Sequence, residues 1–145
     1  NERREALTLA RQTLAQANAA LAERFSPRLV REASEIFSEL TGGRYARVQI
    51  SRQMELEAGQ PDAAMRRSLF LSGGAAYELY LSVRLAVCRL LLPEDAPLLL
   101  DDALVMFDDD RLRLALRLLQ REAENRQILL FTCQHREQKA LTTDL

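Results

Sequence analysis

Residues 98–110 read Leu98-Leu99-Leu100-Asp101-Asp102-Ala103-Leu104-Val105-Met106-Phe107-Asp108-Asp109-Asp110. The segment between Pro93 and Pro97 breaks the chain, and the three leucines that follow predict a fully buried strand of a parallel sheet that ends in two aspartates. Asp108, Asp109 and Asp110 then open a helix, with Leu112, Ala115, Leu116, Leu119 and Ala123 on one face. Ile128-Leu129-Leu130-Phe131 predicts a second buried strand, and a short polar helix follows Thr132. Upstream, Leu69-Phe70-Leu71-Ser72-Gly73-Gly74 runs into residues 75–92, which are apolar almost all round apart from Glu78, Ser82, Arg84 and Arg89. Such a helix is expected to be buried. Helix, strand, helix, strand in this order calls for an α/β architecture with right-handed crossovers in a parallel sheet flanked by helices.

Toward the N-terminus, residues 1–24 contain neither Gly nor Pro and place Leu7, Ala10, Leu14, Ala17 and Leu21 at alternating steps of three and four, a coiled-coil seam. A stalk this short is marginal alone, so its partner strand is expected elsewhere. Ser26-Pro27 is expected to restart a helix, with Ser26 as cap and Pro27 in the first turn. Leu29, Val30, Ala33, Ile36, Phe37 and Leu40 supply its apolar face, and Thr41-Gly42-Gly43 ends it. Residues 44–50 (Tyr45, Val48, Ile50) and 53–57 (Met54, Leu56) alternate as two half-buried strands, and residues 58–62 read as a turn.

The 145 residues suit one domain or one lobe of something larger. At 48% hydrophobic and 28% charged residues the chain is that of a folded protein, and a net charge of −1 provides no overall field to recruit nucleic acid or an anionic membrane. The only lysine, Lys139, has no glycine before it, so no G-x-x-x-x-G-K-[ST] phosphate loop is present. Cys88 and Cys133 form no C-x-x-C pair and sit in apolar stretches, which predicts buried, reduced thiols. Arg84 and Arg89 interrupt the longest apolar run and no signal peptide opens the chain, so a soluble, cytoplasmic protein without membrane association is expected. Asn rather than Met at position 1 suggests a piece of a longer protein.

Ligands of parallel sheets gather at the carboxyl ends of strands. Asp101 and Asp102, held there by three leucines, could bind a hard cation such as Mg²⁺, or be solvated loop carboxylates. Leu71-Ser72-Gly73-Gly74 before a long helix could cradle an anion against the helix N-terminus, or be a serine cap with a tight turn. Asp108 has the reading of an N-cap, with Asp109 and Asp110 favouring the helix dipole. Arg44, Arg47, Arg52, Arg66 and Arg67 could meet DNA phosphates, although a solvated basic face suits the balanced charge better.

In sequence, Leu71-Ser72-Gly73-Gly74, a long helix, Leu98-Leu99-Leu100-Asp101-Asp102, Phe107-Asp108 and Ile128-Leu129-Leu130-Phe131-Thr132 resemble the signature motif, Walker B strand, D-loop and switch strand of an ABC-type ATPase head. The wording Tyr80-Leu81-Ser82-Val83-Arg84-Leu85-Ala86 and Asp101 to Asp108 resembles the SMC-like branch, which includes SbcC-type, RecF-type and YhaN-like DNA-repair ATPases. The resemblance implies the C-terminal lobe of such a head, over residues 25–145, with residues 1–24 as the returning end of a coiled coil. It further implies that Ser72, Gly73 and Gly74 contact the γ-phosphate of ATP on the opposite subunit, and that Asp101 holds Mg²⁺. Asp102 stands where most of the family has the glutamate that orients and deprotonates the attacking water, and Asp108 couples the two sites. At the switch, Cys133 occupies the usual histidine position and His135 follows two residues later, so either His135 reaches the γ-phosphate or this lineage does without it.

On this reading the lobe forms part of an ATP-hydrolysing head that dimerises on ATP and moves a coiled coil on DNA. ATP and Mg²⁺ would both require an N-terminal lobe of the same protein, the fragment alone being inactive, and a second head would complete the dimer. Two other readings stay open: a non-catalytic coiled-coil and α/β dimerisation module, or a Toprim-like Mg²⁺-dependent phosphotransfer domain built on Asp108, Asp109 and Asp110.

Overall fold

A computed structural model describes residues 2–51, 55–93 and 95–143, without the side chains of residues 2, 5, 17–25 and 143. Helix α1 (Glu2–Leu40) is one continuous helix with Pro27 inside it, so the expected restart at Ser26-Pro27 does not occur. A proline costs one intrahelical hydrogen bond. The helix formers before it and the buried stripe after it, Leu29, Ala33, Ile36, Phe37 and Leu40, continue the same helix. Leu7 and Leu14 of the seam are exposed, whereas Ala17 and Leu21 lie outside the residues whose side chains are described. Gly42 and Gly43 close α1 in left-handed backbone, φ 60° and 82°, and the Gly43 N–H donates to Ser38 O at 2.7 Å. Only glycine enters that region freely.

Next come β1 (Arg47–Ile50), β2 (Leu56–Gly59) and β3 (Arg66–Arg67), antiparallel neighbours in that order. Val48 pairs with Ala58, both are buried, and the Val48 N–H donates to Ser34 Oγ on α1 at 2.9 Å. The expected turn at residues 58–62 is therefore partly strand, because Ala58, buried opposite Val48, continues the alternation begun by Leu56 opposite Ile50. A Cβ on Gly59 would lie 2.6 Å from Met65 Sδ, so a larger residue here would push that flexible side chain aside. Met54, expected in the second strand, and Arg52 lie outside the described residues. Of the remaining basic cluster, Arg47 donates to Gln60 O and Ala63 O and Arg67 pairs with Glu55, so these two hold their own turn and hairpin.

A 3-10 turn (Ser68–Phe70) leads into α2 (Gly73–Leu91), which packs along α1. Arg89 of α2 reaches both Glu32 of α1 and Glu122 of the next helix, α3 (Asp109–Glu122), tying three helices at one end. The α2 surface is not wholly buried as expected: Tyr77 and Tyr80 are exposed, while Glu78 and Ser82 are buried. Strand β4 (Leu98–Asp101) pairs in parallel with β5 (Ile128–Phe131), with α3 crossing between them, and α4 (His135–Thr143) follows.

Neither parallel strand is fully buried. Leu100 faces the core, but Leu99, Leu129 and Phe131 are 57%, 40% and 53% exposed. The helices cover one face of this two-stranded sheet, and among the described residues nothing covers the other. Cys133 is likewise exposed and Cys88 only partly covered, against the expectation of buried thiols. No helix of the described residues is long and apolar enough to cross a membrane.

Candidate functional site

Both parallel strands end at the same edge of the sheet, and there the chain leaves regular structure through Asp102. Its backbone is left-handed, φ 46°, a conformation that costs a non-glycine residue about 1–2 kcal/mol and that Asp tolerates better than most. Three bonds hold it: the Asp102 N–H donates to Phe131 O at 2.9 Å, Asp102 O accepts the Val105 N–H at 3.3 Å, and Asp102 Oδ1 accepts the Cys133 N–H at 3.3 Å. Asp102 therefore joins the end of β4 to the loop after β5. Asp101, the last residue of β4, is exposed beside Phe131 in the ladder.

The loop leaving Asp102 is anchored by Leu104 and Phe107, both buried, and delivers Asp108 to the start of α3. Asp108 Oδ1 accepts the Arg111 N–H at 2.9 Å, so the N-cap reading holds, with Asp109 and Asp110 in the first turn. Arg136, at the start of α4, donates to Val105 O at 3.2 Å and lies 3.5 Å from Asp109. His135 precedes it as the first, exposed residue of α4, so it is the backbone of Cys133 that meets Asp102.

Ser72 caps α2, its Oγ accepting the Ala75 N–H at 3.4 Å. Gly73 has open space where a Cβ would be, whereas a Cβ on Gly74 would collide with the guanidinium of Arg111. The guanidinium that fills this slot lies 3.3 Å from Glu78 Oε1 and 3.5 Å from Asp108 Oδ2. A chain of contacts thus runs from the turn at Ser72, Gly73 and Gly74 through Arg111 to Asp108. From there it continues along the loop to Asp102 and Cys133. All seven residues singled out in the sequence, Ser72, Gly73, Gly74, Asp101, Asp102, Asp108 and His135, lie on or beside this edge.

Glu78, Arg111 and Arg136 were not among them. The visible signal for Glu78 was a single acid in an otherwise apolar helix turn. Arg111 and Arg136 carry no such mark, because Gly74 and Glu78, which the first reaches, and Val105 and Asp109, which the second reaches, are distant in sequence.

Glu78 is 1% exposed, and Oε1 has no hydrogen-bond partner despite its ion pair with Arg111. Burial pushes its carboxyl up to about 7, Arg111 and Arg44 draw it down, and Asp108 pushes it further up. A carboxyl raised in the folded state from an unfolded value of 4.5 contributes stability below 4.5 that is lost as pH rises through about 7. Glu78→Gln cannot titrate. Urea unfolding is expected to show the variant gaining about 2 kcal/mol on wild type between about pH 5 and pH 8. A gap that stays constant with pH would mean that Glu78 does not titrate in this window.

Two adjacent carboxylates at a strand end suit a divalent cation, and, apart from them, an exposed glycine turn on a helix N-terminus suits a phosphate. They do not make a closed metal site, since no three His, Cys, Asp or Glu gather among the described residues.

No family model matches the chain. The uncharacterized protein YhaN of Bacillus subtilis (strain 168) is 36% identical to it over 110 residues, which are 74% of this chain and 11% of that protein. The chain therefore spans about a tenth of the length of this curated relative. Similar solved structures include one from work on ATP-driven dimerization and DNA-stimulated activation of SMC ATPases. Its TM-score is 0.70 at 20% identity, over 85% of this chain and 76% of that one. The Smc head with an extended coiled coil from Pyrococcus furiosus has a TM-score of 0.64 at 18% identity, over 96% of this chain and 38% of that one. The SMC head domain from Thermotoga maritima has a TM-score of 0.63 at 18% identity, over 86% and 44%.

Proposed function

From the fold of this chain, which is that of the C-terminal lobe of an SMC-like ATPase head preceded by coiled-coil helix, we propose that it is half of an ATP-hydrolysing head. The observation that carries the reading is the contact chain linking the turn before α2, the start of α3 and the ends of β4 and β5 along one sheet edge. It borders an apolar sheet face that is open. Half of a nucleotide site beside an uncovered face is what one lobe of a two-lobed head requires.

In this reading residues 1–24 are the returning end of a coiled coil and residues 25–145 the lobe. The uncovered face takes an N-terminal lobe of the same protein, which supplies the phosphate loop that this chain lacks. Ser72 Oγ and the backbone N–H groups of Gly73 and Gly74 bind the γ-phosphate of ATP held by a second head. Asp101 holds Mg²⁺, directly or through water, and the ion supplies charge neutralisation at the phosphates. Asp102 orients the attacking water and takes its proton at the carboxylate. Asp108 communicates between the paired sites, and Cys133 or His135 faces the γ-phosphate. The whole protein dimerises on ATP, moves its coiled coil on DNA in repair or chromosome maintenance, and works in the cytoplasm.

The test is complementation. This chain alone is expected to bind Mg-ATP weakly by calorimetry and to lack turnover. Mixed with a separately expressed N-terminal lobe of its own protein, it is expected to restore ATPase activity. Binding of that lobe without turnover would favour the non-catalytic dimerisation module, and tight Mg-ATP binding by the chain alone would remove the lobe assignment.

A further inference from the structure

Arg111 belongs to none of the motifs in the sequence, yet its side chain touches both the glycine turn and the α3 cap. It leaves the first turn of α3, where its own N–H is bonded to Asp108, and returns across to α2. Its guanidinium occupies the space over Gly74 that any side chain there would fill, 3.3 Å from the buried carboxylate of Glu78 and 3.5 Å from Asp108 Oδ2. Gly74 thus has a second reason to be glycine, independent of any phosphate: a methyl group at this position is accommodated only by swinging the guanidinium away. The room for that movement exists, because a cavity of about 200 Å³ lined by Thr41, Arg44, Tyr45, Glu78, Asp108 and Arg111 adjoins it. The movement would leave Glu78 buried without its cation, which is the costly half of a broken buried pair.

We infer that Arg111 is a positioning residue that locks the turn formed by Ser72, Gly73 and Gly74 to the Asp108 cap of α3, so that the two elements facing a second head are presented as one rigid unit. The inference rests on the ATPase reading for its functional consequence and on the contacts alone for the lock. Rigid placement matters because displacement of a contacting group by about 1 Å can cost on the order of 100-fold in rate.

The experiment uses the full-length protein. Arg111→Met, Gly74→Ala and the double variant are compared by native-state hydrogen exchange and by ATPase kinetics. Each single variant is expected to speed exchange of the amides at residues 73–76 and 109–112 by about tenfold, with the double variant no faster than either. Unchanged exchange at residues 73–76 in Arg111→Met, or strictly additive effects, would overturn the lock.

In turnover, Arg111→Met is expected to lower kcat about tenfold or more with KM within about twofold, because nucleotide would sit on the other lobe while the signature turn is misplaced. A merely structural arginine would lower active protein without this split, and unchanged kcat would remove the functional consequence. Absence of any ATP-dependent association or turnover in wild type would defeat the ATPase reading, while the exchange result would still decide the lock.

Discussion

Asp102→Asn in the full-length protein is expected to lower ATP turnover by about 100-fold or more while ATP-dependent association of heads persists. The substitution separates a bond that this side chain makes in the fold from the role in turnover proposed for it. In the fold, Oδ1 accepts the Cys133 N–H and so ties the end of β4 to the loop after β5. An asparagine oxygen does the same, and Asn tolerates the left-handed backbone at φ 46° as well as any residue other than glycine. The proposed role is chemical and needs the charge, since an amide cannot take a proton from water at neutral pH. Fold and nucleotide-dependent closure are therefore expected to survive, and the proton transfer to be lost. Light scattering with and without ATP reads the first outcome and phosphate release the second. Unchanged turnover would remove Asp102 from the mechanism. Loss of association together with turnover would place its role in holding the edge together instead.

The strand ends were legible because their signal is local. Three leucines against two aspartates mark where a buried segment meets a polar edge, and Leu112, Ala115, Leu116 and Leu119 repeat at helical spacing and are all buried. The continuity of α1 was not legible in the same way. Pro27 after Ser26 is a start signal by local chemistry, but the apolar stripe from Leu29 to Leu40 packs against α2 and β1, and that packing outweighs one lost hydrogen bond. Strand β3, two residues long, has no period to read. The open faces were hidden for another reason. A leucine run reports that its residues need burial, and it does not report whether the covering element lies in the same chain, so Leu99 and Phe131 looked like core. Arg111 over Gly74 is a contact across 37 sequence positions, and no residue pattern on either side announces it.

The second large effect concerns that open face. In the β4–β5 register Leu99 lies beside Leu129 and Asp101 beside Phe131, and strand alternation puts these four on the side away from Leu100 and the core. A parallel pair is ordinarily covered on both sides, so three large apolar side chains around one carboxylate form a surface built to be covered. In the proposed head the cover would also close on Asp101, so that assembly of the lobes and completion of the proposed cation site would be a single event. Replacing Leu129 and Phe131 together by serine tests this. With 40% and 53% of these residues still exposed, covering them removes roughly half of each from water. That is worth about 1–1.5 kcal/mol per residue, or roughly 100-fold in association with the N-terminal lobe for the pair. Stability of the chain by itself is expected to fall by about 2 kcal/mol, because the other half of each side chain is already buried within the chain. Calorimetric titration of one lobe with the other reads the first quantity and urea unfolding the second. Undiminished association would show that the N-terminal lobe docks elsewhere. A fall in stability far beyond that would show that the face is covered within the chain itself, leaving no open face for a second lobe to cover.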